Sequence, residues 1–202
     1  MTDTIYALAS APGRAGVAVI RVSGPQTDRM LERICRRALP VPRQAALRDF
    51  HAADETVIDR GLALWFPGPG SFTGEDSAEF HVHGGPAVIS AMSEALLDAG
   101  ARPAEAGEFT RRAFESGKID LTEAEGLADL VDAETEGQRA QALAQMSGAL
   151  KTLYEGWREQ LVTILAAIEG EIDFPDEEDV PDALSHSAAA PLRELIEALS
   201  DH

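Results

Sequence analysis

The stretch GLALWFPGPGSFTGEDSAEFHVHGGPAVISAMSEALLDAG (61–100) decides the fold. GLALWF (61–66) is an apolar run of strand length. PGPGSFTG (67–74) is dense in the residues that make turns and predicts a loop. SAEFHVH (77–83) alternates with period two, placing Ala78, Phe80 and Val82 on one face and Glu79, His81 and His83 on the other. Gly84-Gly85-Pro86 then opens a helix, with proline near its first turn, and Gly100 closes it. Two strands, a loop and a helix in this order predict part of a mixed α/β domain.

The same grammar extends toward the N-terminus. TIYALA (4–9) and GVAVIRVSG (16–24) predict strands, and residues 26–39 follow a helical pattern that Pro40 and Pro42 end. Together these make a mixed α/β unit of roughly a hundred residues or a little more, near the usual domain size. From about residue 107 the pattern changes and no further strand is expected. Phe109, Ala113 and Phe114 are expected in a core. Thr122 and Glu125 form a Thr-x-x-Glu capping box, predicting a helix that runs to about Met146. A second helix carries Leu150, Leu153, Tyr154, Trp157, Leu161, Ile164, Leu165, Ile168 and Ile172 on one stripe, the spacing of a bundle helix. Pro175 breaks it beside the acidic run DEED (176–179), which lacks the alternation and central glycine of a calcium loop, and a short helix over 192–200 follows. The fold class expected is α+β: a mixed α/β domain, then an all-α bundle too short of helices to be complete.

The net charge of −18 is divided unevenly. Residues 1–50 carry eight arginines against four acids, whereas the remainder carries nine basic residues against 31 acids. So acidic a chain does not coat nucleic acid nonspecifically, because that binding rests on neutralising phosphates. Arg29, Arg33, Arg36 and Arg37 share a helix face and are expected to be solvated. A single cysteine, Cys35, excludes an internal disulfide and a cysteine-rich zinc site, and its apolar neighbours predict a buried structural thiol. No apolar run approaches bilayer length, and the start of the chain lacks a basic-then-apolar leader, so a cytoplasmic protein is expected.

Several residue patterns bear on chemistry. Glu79, His81 and His83 on one strand face suit a plain polar face or a ligand pocket equally by spacing. A transition-metal site stands behind both, since no further His or Cys lies near in sequence. The helix opening after Gly84-Gly85 favours an anion and adds to the pocket reading. Arg21, at a strand end, is of the type that clamps a carboxylate. Gly13 and Gly16 around Arg14 are too loose a pattern for a dinucleotide fingerprint. Lys118 stands out in a chain with 15 arginines and two lysines. The chain has no G-x-x-x-x-G-K-S or G-x-x-x-x-G-K-T and no asparagine, so neither a P-loop nor the Asn-Lys-x-Asp guanine-reading element is present.

Four stretches stand in the order and near spacing of one family: DTIYALASAPGRAGVAVIRVSG, GLALWFPGPGSFTGEDSAEFHVHGGP, AGEFTRRAFESGKIDLTEAEGLADLVDA and IDFPDEED. To about residue 180 the chain resembles the amino-terminal part of the tRNA modification GTPase family MnmE (TrmE). The resemblance implies a tetrahydrofolate-binding and dimerisation domain over 1–117, similar to that of aminomethyltransferases, and the first part of a helical domain over 118–202. A G domain would begin about where this chain stops, and neither it nor the family's C-terminal cysteine motif is present here. The family modifies carbon 5 of the wobble uridine (U34) with a carboxymethylaminomethyl-type group. It acts with the FAD-dependent partner MnmG, tRNA, GTP with Mg and K, and 5-formyl- or 5,10-methylene-tetrahydrofolate. The folate contacts carry over to Arg21, Glu79 and Lys118, with no GTP, Mg or K site expected in this chain. A pterin edge offers two adjacent donors to a carboxylate such as Glu79, and the carboxylates of a folate tail call for cations. Two other readings stay beside this one: a metal-dependent enzyme built on Glu79, His81 and His83, and a folate-independent interaction scaffold.

Overall fold

The computed structural model describes residues 3–173 and 184–200, which fall into two compact units, residues 1–120 and 121–202. The first unit is built on β1 (Ile5–Leu8), β2 (Ala15–Ser23), α1 (Thr27–Cys35), β3 (Ala46–His51), β4 (Val57–Phe66), β5 (Ser77–Gly84), α2 (Pro86–Asp98), β6 (Arg102–Pro103) and α3 (Glu108–Glu115). Its six strands form one mixed sheet in the order β3-β4-β5-β2-β1-β6. Neighbours pair antiparallel except β1 with β6, which run parallel.

Alternation puts the apolar set of each central strand on one face. Ala18, Ile20 and Val22 of β2 and Ala78, Phe80 and Val82 of β5 are all buried, beneath Met30, Leu31 and Ile34 of α1 and Met92 and Leu96 of α2. Phe80 meets Phe50 of β3 edge to face, ring centroids 5.4 Å apart, and full burial of a side chain this size stabilises by about 1.5–3 kcal/mol. At Gly61 a Cβ would stand 2.0 Å from the His81 carbonyl oxygen, so only glycine lets β4 lie against β5 there.

Three expectations are corrected in this unit. The helix predicted over 26–39 ends at Cys35, because Arg36 is left-handed at φ 50°; the prolines come after the turn is already made. β3 and the two-residue β6 carried no strand expectation. β3 is an edge strand with Arg48 and Asp49 at its centre, and only Phe50 is fully buried. Of the three residues assigned to the core near 109–114, Ala113 is buried, Phe109 is half-buried and Phe114 is exposed.

The second unit holds α4 (Leu121–Asp132), α5 (Glu136–Met146), α6 (Ala149–Asp173) and α7 (Leu184–Ser200). The single helix expected from Thr122 to Met146 is two helices. Thr122 already lies inside α4, and the capping box belongs to Thr135 and Gln138, which satisfy each other's backbone N–H groups and restart the helix as α5. α6 matches the predicted long stripe. Ile164 is buried, and Tyr154, Leu161 and Leu165 are exposed. α7 begins at Leu184, well before the helix expected at 192, and passes through Pro191. Pro175 and the DEED run lie outside the described residues. No helix among the described residues is long and apolar enough to cross a membrane.

Candidate functional site

The register of β2 against β5 sets Arg21 directly opposite Glu79 on the sheet face away from α1 and α2. Arg21 donates to Glu79 Oε1 from Nε at 3.1 Å and Nη2 at 2.9 Å, and His81 Nε2 lies 3.2 Å from Glu79 Oε2. Burial to 18% side-chain exposure pushes the Glu79 carboxyl upward, but the hydrogen bonds from His81 and Arg21 and the guanidinium charge outweigh it and hold it below the usual range. The phenyl ring of Phe109 stands beneath the Arg21 guanidinium, 5.9 Å from centroid to carbon, so Phe109 supports the site as well as packing.

These groups open onto a cavity of about 250 Å³, lined among others by Arg21, Arg43, Phe66, Phe72, Ser77 and Glu79. Its rim is the glycine- and proline-rich loop expected at 67–74. Arg43 donates to the Gly70 carbonyl and lies over the Phe66 ring at 6.0 Å. Lys118 Nζ donates to the Pro69 carbonyl at 2.8 Å, on the same loop but outside the cavity lining. Arg21 and Glu79 are thus brought into contact, and Lys118 is placed at the border.

His83 goes elsewhere. Its backbone N–H donates to Asp59 Oδ2 at 2.7 Å and its ring Nδ1 lies 2.8 Å from Asp59 Oδ1, so the triad Glu79, His81, His83 does not converge. Among the described residues no group of three or more His, Cys, Asp or Glu side chains could hold a metal ion, which corrects the metal-dependent alternative. Arg14 is exposed, as are Arg29, Arg33, Arg36 and Arg37; of these Arg33 donates to the Asp98 carbonyl and Arg36 pairs with Glu55.

Sequence reasoning missed the ionic support behind the loop. Arg112 of α3, only 1% exposed, meets Glu75 at 3.1 Å, Asp3 at 2.9 Å and Glu108 at 2.9 Å, and Glu108 also pairs with Arg102. Ser116 donates to the Thr73 carbonyl at 2.6 Å. α3 thus holds Glu75 through Arg112, and just past its end Ser116 and Lys118 hold the rim loop at Thr73 and Pro69. The four-residue spacing of Glu108 and Arg112 was the one local signal for this cluster.

Residues 4–118 match the family model described as "GTP-binding protein TrmE N-terminus", and residues 121–202 match that of the "MnmE helical domain". The chain is 67% identical over 202 residues to a tRNA modification GTPase MnmE of Maricaulis maris, covering all of this chain and 46% of that relative. It is 56% identical over 200 residues to the protein of the same name in Phenylobacterium zucineum, covering 99% of this chain and 44% of the relative. A mitochondrial 5-taurinomethyluridine tRNA synthase subunit of Danio rerio is 54% identical over 202 residues, covering 99% of this chain and 40% of the relative. The chain thus spans less than half the length of these relatives. With both family models in chain order and these relatives matched along its full length, the chain belongs to the tRNA modification GTPase family MnmE (TrmE).

Proposed function

We propose that residues 1–117 bind a one-carbon tetrahydrofolate and dimerise, as the amino-terminal part of an enzyme that modifies carbon 5 of the wobble uridine of tRNA. Residues 118–202 are then the first part of its helical domain. The full protein works in the cytoplasm with the FAD-dependent MnmG, tRNA and GTP; no P-loop sequence assigns GTP hydrolysis to these residues. The observation that carries the folate reading is the partly buried Glu79 carboxylate at a cavity with aromatic walls and arginines at its mouth.

The residues fit such a ligand chemically. The cavity volume of about 250 Å³ lies just below the usual range of ligand pockets, which suits a bicyclic ring with its tail running outward. Phe66 and Phe72 give the ring apolar walls. Arg43 and Lys118, each bonded to a carbonyl of the rim loop, supply cations for tail carboxylates. When bound, the folate supplies the one-carbon unit. Glu79 holds the ring by accepting two adjacent N–H groups, and Arg21 keeps the carboxylate ionised and oriented. Three of the carboxylate's roughly four acceptor positions are filled, by Arg21 Nε, Arg21 Nη2 and His81 Nε2. A side-by-side pair of donors needs one position on each oxygen, so one of the two Arg21 bonds to Oε1 yields to the ligand while Oε2 offers its open position.

Calorimetric titration with 5-formyltetrahydrofolate tests the reading. Saturable binding is expected, lost in Glu79→Ala because removing one partner of a buried charge-assisted pair costs a few kcal/mol. A folded wild-type chain that takes up no folate would sink it and leave the scaffold reading.

A further inference from the structure

The cavity floor carries three hydroxyls, Ser71, Thr73 and Ser77, each nine-tenths or more buried. A hydroxyl has one proton to donate and two lone pairs, so the partners behind the floor decide which of these faces the cavity. Those partners converge on Glu75. Ser23, which does not line the cavity, donates to Glu75 Oε2 at 2.9 Å, and a carboxylate facing the Arg112 guanidinium can only accept. With its proton committed there, Ser23 must accept across its 2.7 Å contact with Thr73, so the Thr73 proton points away from the cavity. Thr73 in turn accepts from the Glu75 backbone N–H at 3.3 Å. Ser77 has three acceptors behind it at 3.3 Å, Thr73, Ser23 and the Glu75 carbonyl, and Ser71 donates to that same carbonyl.

We infer that Ser23 and Glu75 act as positioning residues that turn every floor hydroxyl's proton away from the cavity, making the floor an acceptor surface that selects ligands presenting N–H donors. Together with Glu79, this gives the cavity two acceptor walls. For a pterin, whose exocyclic amino group has two protons, Glu79 takes one and the floor takes the second. The identity of the ligand rests on the folate reading; the polarity of the floor does not.

Two measurements keep the two apart. Neutron diffraction from deuterium-exchanged crystals of the chain locates the Ser71, Thr73 and Ser77 deuterons directly. They are expected to point toward Ser23 and Glu75, and deuterons directed into the cavity would overturn the inference whatever the ligand. The second is titration of wild type and Ser23→Ala with 5-formyltetrahydrofolate and with its 2-desamino analogue. Ser23→Ala is expected to weaken the amino-bearing ligand about tenfold, the worth of one buried hydrogen bond, and the desamino analogue less than about twofold. Equal weakening of both ligands would reduce Ser23 to a structural role and refute the inference. If wild type binds neither ligand, the folate reading fails, and the deuteron directions alone uphold or overturn the acceptor floor.

Discussion

Arg21 and Glu79 face each other across the β2–β5 ladder, joined by a 2.9 Å contact from Nη2 to Oε1. Cross-strand opposite charges stabilise a sheet by a few tenths to about 1 kcal/mol, and Arg21 is exposed enough for solvent to screen part of that. A double-mutant cycle of Arg21→Ala and Glu79→Ala in urea melts is expected to give a coupling of about 0.5–1 kcal/mol. A coupling that small makes the pair a minor contributor to stability. A coupling of several kcal/mol would instead make it a pillar of the fold.

Acid is expected to destabilise the first unit through the cluster behind the rim loop. The hydrogen bond from Arg102 lowers the Glu108 carboxyl from its ordinary 4.5 to about 2, against the opposing push of burial and with help from Arg112 and the Glu105 backbone N–H. Between those values the unfolded chain binds the proton and the folded one does not. The stabilisation is therefore complete above about 4.5 and is lost as pH falls toward about 2. Glu79 and Asp3, both also held low, act in the same direction. Urea midpoints measured from pH 7 to pH 3 should fall less steeply for Glu108→Gln than for wild type; parallel curves would remove Glu108 as a cause.

Cys35 is packed among Met30, Leu31 and Ile34, and burial pushes its thiol up to about 12, with the Arg48 charge opposing only weakly. The thiol is thus protonated at neutral pH and shielded. Iodoacetamide should label the native chain only at the rate at which it opens, and label it rapidly in denaturant. Fast labelling of the native chain would contradict the burial.

Gly126 lies where α4 crosses α5. A Cβ there would stand 2.9 Å from the Gln145 Cβ and 3.1 Å from the Ala142 carbonyl oxygen, neither of which is a yielding side-chain tip. Gly126→Leu should force the helices apart and cost about 1–3 kcal/mol, despite leucine's better helix propensity. A rise in melting temperature for this variant would show that the close approach is dispensable.

The elements legible from sequence are those whose burial is periodic within themselves. β2, β5 and α2 each carry their own pattern, and the alternation of 77–83 already put Glu79 and His81 on the face opposite Phe80. The α+β class and the long α6 follow from the same local signals. What local pattern leaves open is pairing. Nothing in ALRDFH announces β3, whose burial comes from its partner, and the break at Thr135 depends on which of two capping patterns the helix uses. The site divides in the same way. Arg21, Glu79 and Lys118 were named from residue type and resemblance, but only the ladder register makes a pair of Arg21 and Glu79, 58 positions apart. Arg112 reaches Asp3 across 109 positions and Glu75 across 37. Side-chain chemistry belongs to the residue and is written in the sequence, whereas contact between distant residues is a property of the folded chain and had to come from the tertiary structure.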